Sequence, residues 1–256
     1  MSKFYLFLII KIIRFILMSN NQLKTEYNEE VFFTNGYSVL KFIETDVYKN
    51  FIKVCTELFN SNEVNDWKDS YKNTKDFVRR PDLFNDIFLN FLQDQDIVKK
   101  INHLTKQDLF LEDLYIRKVF PSKNSYTGLF HHRDTHFYNS KIRTGRFPPI
   151  YKLIFYFQNT VNEVPQLAIV PGSQLNFRKN LLLDKIFGYF SKDFVISSNN
   201  KQCIFFNTMI QHNVIPNKDI LNGPQMRIFY NFCSRAQLNN LPNNSSLHDK
   251  FRSKFY

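Results

Sequence analysis

The chain has 256 residues, of which 43% are apolar and 17% aromatic, with 29 Phe and 13 Tyr. That is enough to bury one large core, and it excludes a chain disordered by composition. A formal net charge of +11 admits nucleic acid, membranes or anionic metabolites as partners, but the basic residues are scattered; the densest cluster, Lys141, Arg143, Arg146 and Lys152, is short. Cys55, Cys203 and Cys233 are the three cysteines and form no CxxC pair. They argue against a disulfide framework and a cysteine zinc site, and they fit a reducing, cytoplasmic compartment.

Residues 1–28 are an apolar and basic extension. The apolar run Phe4 to Ile10 is too short to span a bilayer, and no small-residue cleavage site follows it. On a helix, Lys3, Lys11 and Arg14 form one stripe opposite a broad apolar face, so residues 3–17 read as a membrane-surface helix giving peripheral association. Initiation at Met18, which leaves Met1–Leu17 outside the working protein, is an equal alternative.

A short helix end, a turn at Asn35-Gly36 and a strand over Tyr37–Ile43 follow. Val47, Phe51, Val54, Cys55 and Leu58 have helical spacing over residues 46–61, and residues 82–104 hold one or two further helices. From residue 108 the pattern turns to strands: Phe110–Phe120, Gly128–Phe137, Tyr151–Phe157, and Leu167–Val170 closed by a Pro171-Gly172 turn. Residues 178–190 form a helical insertion. Cys203–Asn207 and Met226–Cys233 are the last strands, and Asn239–Tyr256 reads as a loose tail. Helices first and strands after predict an α+β chain. Its core is a double-stranded β-helix of the jelly-roll or cupin-like kind, with N-terminal flanking helices and a helical insertion. The domain spans 29–235 and the polar tail 236–256.

The chemistry concentrates in two places. Leu129-Phe-His-His-Arg-Asp-Thr-His136 carries His132 and Asp134 two apart, and alternation on a strand points both to one face with His136, while His131 and Arg133 point away. Much later, His212 follows an apolar strand and Arg227 sits inside one, Met226-Arg-Ile-Phe-Tyr230. Two imidazoles and a carboxylate can hold one face of an Fe(II) ion and leave the other open. A surface hydrogen-bonded pair, a loop histidine and a structural salt bridge for the arginine are the plainer readings of the same residues. Mouths of two-sheet barrels favour ligand sites, and Tyr115, Arg117 and Lys152 lie on strands that can line this one.

Five segments in order resemble the phytanoyl-CoA dioxygenase-like family of Fe(II)/2-oxoglutarate-dependent oxygenases. They are Phe33-Thr-Asn-Gly-Tyr-Ser-Val-Leu40, Phe130-His-His-Arg-Asp134, Val170-Pro-Gly-Ser173 with Glu163 before it, His212-Asn-Val-Ile-Pro-Asn217, and Arg227. The resemblance covers roughly residues 30–235. It departs at Val164-Pro165, where the family has Asn-Gly, at Gln174, where it has His, and at His131, where it has another aromatic. These departures leave the metal ligands intact but put CoA-linked substrates in doubt. Asp134 disfavours the halogenases of this fold class, which lack the carboxylate.

The resemblance implies that His132, Asp134 and His212 bind Fe(II) and that Arg227 receives the distal carboxylate of 2-oxoglutarate. It implies O2-dependent hydroxylation of a small-molecule C–H bond. His136 and Asn217 are candidates for supporting contacts, and segments 136–150 and 178–190 for a substrate-selecting lid. Two other classes stay open: a jelly-roll binding protein without catalysis, and a basic nucleic-acid-modifying oxygenase, which the diffuse charge disfavours. Neither the substrate nor the oligomeric state is written in the sequence.

Overall fold

The computed structural model describes residues 29–60, 67–69, 74–77, 85–120, 131–134, 150–157, 166–176, 181–196, 200–215, 225–238 and 245–256. Helix α1 (Glu29–Asn35) leads through Gly36 into β1 (Tyr37–Lys41). Then come α2 (Asp46–Asn60), β2 (Trp67–Asp69), β3 (Thr74–Phe77), α3 (Ile87–Asp94), α4 (Ile97–Thr105), β4 (Leu109–Val119) and β5 (Tyr151–Tyr156). After β6 (Gln166–Val170) and a 3-10 turn (Ser173–Asn176), the chain forms α5 (Leu181–Phe190), β7 (Phe194–Ile196), β8 (Gln202–Asn207), β9 (Gln211–Ile215) and β10 (Gln225–Ser234). Helices α6 (Arg235–Leu238) and α7 (Ser245–Phe255) end it.

Seven strands form one antiparallel sheet in the order β1-β8-β5-β10-β4-β3-β2, and three form a second in the order β7-β6-β9. Period-2 alternation gives the large sheet two different faces. One carries Phe205, Leu153, Phe155, Ile228 and Tyr230 against Phe51 of α2 and Phe88 and Phe91 of α3; the Phe51 and Phe91 rings stack at 4.0 Å. The opposite face carries Tyr37, Val39, Ile204, Ile154, Tyr156 and Phe229, packed on Leu167, Ile169 and Ile196 of the small sheet. Two antiparallel sheets sharing an inner core, with helices on the outer face of the larger, make the jelly roll expected from the element order.

Cross-strand registers align the inner face in rows. One row is Tyr37, Phe206, Lys152, Asn231 and Asp113; the next is Val39, Ile204, Ile154, Phe229 and Tyr115; a third holds Tyr156, Arg227, Arg117 and Asp76. At the first of these rows β10 and β4 slip register between Asn231 and Phe232, a bulge that passes over Glu112.

Gly36 has φ +83°, a left-handed conformation that favours glycine. The turn following β6 is stitched to it: Gly172 N–H donates to the Asn35 carbonyl at 3.0 Å, and Gln174 Nε2 donates to the Phe33 carbonyl at 2.9 Å. Gln174, which departs from the family pattern, thus satisfies an end carbonyl of α1.

Two expectations are corrected. The strand expected over Gly128–Phe137 amounts, in its described part His131–Asp134, to a single antiparallel bridge between His132 and His212. The loose tail is also wrong where the chain is described, because α7 packs on the domain beyond residue 235 with Leu247 and Phe251 fully buried. Tyr256 Oη donates to the Leu109 carbonyl at 3.0 Å. Leu247, Phe251 and Phe255 recur at one-turn spacing, a stripe that the surrounding Asn and Ser mask. Phe251→Ala is expected to cost about 3–5 kcal/mol, read from the urea midpoint; an unchanged midpoint would return the tail to a loose appendage.

No helix among the described residues is long and apolar enough to cross a membrane. The candidate membrane-surface segment 3–17 lies outside the described residues.

Candidate metal centre

His212 is the second residue of β9 and is held on two sides. Ile169 of β6 is its ladder partner, and His132 exchanges both backbone hydrogen bonds with it at 2.9 Å. This pins the HxD segment to the edge of the small sheet and brings its side chains over the barrel mouth. His132, Asp134 and His212 each offer one ligand atom, all within 4.8 Å of one another. Asp134 Oδ1 lies 3.4 Å from His212 Nε2 and 3.6 Å from His132 Nε2. The imidazole centroids are 4.5 Å apart.

The supporting contacts set the direction of these groups. His212 Nδ1 lies 3.1 Å from the Ile210 carbonyl. That contact requires the proton on Nδ1 and aims Nε2 at Asp134. Lys152 Nζ donates to Asp134 Oδ2 at 2.5 Å, so the two carboxylate oxygens have different partners. Burial alone would raise the Asp134 pKa, but the Lys152 ammonium, His212 and His132 outweigh it and hold the carboxyl well below its ordinary range.

The residues on either side of His132 point elsewhere. His131 Nε2 lies 3.1 Å from Asp193 Oδ2. Arg133 is fully buried; its Nε and NH2 make a fork to Asp184 of α5 at 2.7 and 2.8 Å. NH1 donates to the carbonyls of Ser173, at 2.9 Å, and Met209. One arginine therefore ties the segment between His132 and Asp134 to the helical insertion, the 3-10 turn and the β8–β9 turn.

Arg227 is 5% exposed on the inner face, with its guanidinium carbon 5.1 Å from the Tyr156 ring centroid. Tyr115 stacks on Phe229 at 4.6 Å, and Arg117 makes a fork to Asp76 at 2.6 and 2.8 Å. Of the three extra mouth candidates, Lys152 alone is hydrogen-bonded to the ligand cluster among the described residues. His136, Asn217 and most of segment 136–150 lie outside the described residues.

Sequence reasoning missed three inner-face residues. The Tyr37 and Tyr156 hydroxyls and Asn231 Oδ1 are buried without a hydrogen-bond partner among the described residues, which in a native fold calls for a ligand or water. Burial pushes the Tyr37 hydroxyl up to about 12. Glu112, at the bulge, is raised to about 7, by burial first and then by Asp113, against Lys152. Alternation along Tyr151–Tyr156 could have found Tyr156, since it shares a face with Lys152.

No protein-family model matches the chain, and no curated protein matches it. Solved structures do, at low identity. The chain is similar to the non-heme alpha ketoglutarate dependent epimerase SnoN from nogalamycin biosynthesis, with TM-score 0.64 and 13% identity over 87% of this chain and 91% of that one. For the carbocyclase SnoK of the same biosynthesis the values are 0.63, 12%, 82% and 88%. For HygX from Streptomyces hygroscopicus, solved with nickel and 2-oxoglutarate bound, they are 0.58, 12%, 80% and 85%. At these identities the likeness establishes a shared fold, the jelly roll.

Proposed function

We propose that this chain is an Fe(II)- and 2-oxoglutarate-dependent dioxygenase that hydroxylates a C–H bond of a small molecule. The observation that carries the reading is the convergence of two imidazoles and one carboxylate within 4.8 Å. That donor set suits Fe(II) on one face. It lies at the mouth of a fold shared with SnoN, SnoK and HygX; SnoN has been solved with Fe3+ and alpha ketoglutarate. The resemblance of five ordered segments to the phytanoyl-CoA dioxygenase family supports the same assignment.

His132, Asp134 and His212 would hold the metal, and Arg227 would take the distal carboxylate of 2-oxoglutarate. A buried fork of N–H donors fixes a carboxylate in plane better than an ammonium does, and the Tyr156 hydroxyl beside it is a buried donor awaiting an acceptor. When bound, iron and 2-oxoglutarate would supply the oxygen activation, with one atom of O2 going into the succinate formed from the oxo acid alongside CO2 and the other available to the substrate. The protein's own residues prepare this. Lys152 occupies Asp134 Oδ2, which leaves Oδ1 facing both imidazoles as a single-oxygen ligand. The Ile210 carbonyl fixes the His212 tautomer. Tyr37, Ile154, Ile204, Phe206 and Phe229 keep the barrel interior apolar, which strengthens each charge contact inside it. All three cysteines are unpaired and buried, which supports a reducing compartment.

Calorimetry of 2-oxoglutarate into anaerobic protein tests the reading. Binding is expected with Fe(II) and absent without it, and slow succinate formation is expected once air is admitted. Absence of metal-dependent binding would sink the enzyme reading in favour of a binding module. Epimerisation and ring closure, the reactions named for SnoN and SnoK, are separated from hydroxylation by 18O2, which labels a hydroxylated product with one atom.

A further inference from the structure

Helix α5 is built inside out. An ordinary surface helix buries its apolar stripe and shows its polar face to water. Here Asp184 is 1% exposed, while Leu182, Leu183, Ile186 and Phe190 are 66%, 52%, 46% and 79% exposed. At 100° per residue these four share an arc of about 100°, opposite Asp184 and Gly188. The inner side is held by polar contacts: the Arg133 fork to Asp184, and Gln211 Nε2 donating to the Asp184 carbonyl at 2.7 Å. It also sits close, since a side chain at Gly188 would meet His131 Cβ at 2.9 Å. The apolar side is thus turned largely to the surface. Leu175 and Val195, on the segments flanking α5, are exposed as well, at 67% and 37%. Among the described residues, nine large hydrophobics are exposed and six of them fall between residues 175 and 195. Clusters of this kind mark interaction surfaces.

We propose that the outward face of α5 is a docking surface for an anionic lipid bilayer. Charge decides the occupant. Lys185, on the helix beside the apolar arc, and Lys192, two residues past its end, are exposed, and the helix's own acid, Asp184, is turned inward onto Arg133. The acid that follows, Asp193, stays 42% exposed and hydrogen-bonds His131 on the inner side at 3.1 Å. The face thus presents leucine, isoleucine and phenylalanine rimmed by lysine, on a chain of net charge +11. That is the composition of a helix lying in a headgroup layer with its apolar side down. A 10-residue helix is about 15 Å long, suited to lying in the surface rather than crossing it. This surface is separate from segment 3–17, and the proposal does not depend on the metal centre.

The test is co-sedimentation of the full chain with vesicles of phosphatidylcholine alone and of phosphatidylcholine with phosphatidylglycerol. Binding is expected to the anionic vesicles and to weaken as salt rises. Leu182→Ser/Phe190→Ser is expected to lower partitioning about tenfold or more with the thermal midpoint unchanged, because neither side chain is buried. Lys185→Glu/Lys192→Glu should lower it too. Full binding by both double variants, with loss only on Lys11→Glu/Arg14→Glu, would overturn the proposal and move the contact to the N-terminal segment. No vesicle binding by the parent, with a dimer that Leu182→Ser/Phe190→Ser converts to monomer in light scattering, would overturn it in favour of a second copy of the chain. No vesicle binding and no dimer would overturn it outright.

Discussion

Asp134→Ala and His212→Ala are each expected to abolish metal-dependent 2-oxoglutarate turnover. Removing a contact that merely supports a ligand costs roughly 10–100-fold in metal affinity or activity, and removing one of the three proposed ligands should cost more. His212 is the sharper probe. It bridges β9 to the HxD segment through backbone groups that alanine retains, so the fold should survive the loss of the ring. Lys152→Met is the graded control: Asp134 stays but loses the partner of Oδ2, and the loss should fall in the lower range. Anaerobic metal titration and succinate release read all three. Iron-dependent turnover intact in His212→Ala would remove that residue from the ligand set.

Arg133→Met is expected to destabilise the whole protein by about 3–5 kcal/mol, the range for breaking a buried ion pair by deleting one partner. The fork to Asp184 is fully desolvated, with side-chain exposures of 0% and 2%, so water cannot screen the carboxylate left behind. Asp184 would then sit buried with its fork lost, and the carbonyls of Ser173 and Met209 would lose a donor. Arg133→Met/Asp184→Leu should recover much of the loss, since two apolar groups leave no buried charge. Urea denaturation of the single and double variants makes the measurement. Equal midpoints for parent and Arg133→Met would show that the fork supports nothing.

The sequence made the site more legible than its scaffold. Alternation alone separates His132 and Asp134 from Arg133, and the structure places Arg133 with Asp184, away from the cluster. The apolar strands β5, β8 and β10 announce themselves because both of their faces are buried. His212, by contrast, read as the point where a strand meets a loop. It lies inside β9, whose residues Gln211-His-Asn-Val-Ile215 have little β pattern and owe their conformation to pairing with β6, a contact distant in sequence. Strands β2, β3 and β7 are three or four residues long and too short for periodicity to register. The Arg133–Asp184 pair was invisible for another reason. A buried arginine predicts an acid somewhere, but nothing local says that the acid stands 51 positions away in an insertion. The inverted polarity of α5 follows from that same hidden pairing.

The small sheet has a thermodynamic consequence. His132 and Asp134 reach the mouth only because β9 offers its edge, and β9 exists only as the partner of β6. Arg227 arrives on β10, which pairs with β5 on one side and β4 on the other. No single hairpin of the chain contains the centre; it comes into being when distant strands close on one another. The unfolded chain therefore has no such donor set to offer, and iron bound at the proposed site would shift the unfolding equilibrium of the entire barrel. That gain in stability would extend to α7, which packs on β4, away from His132, Asp134 and His212.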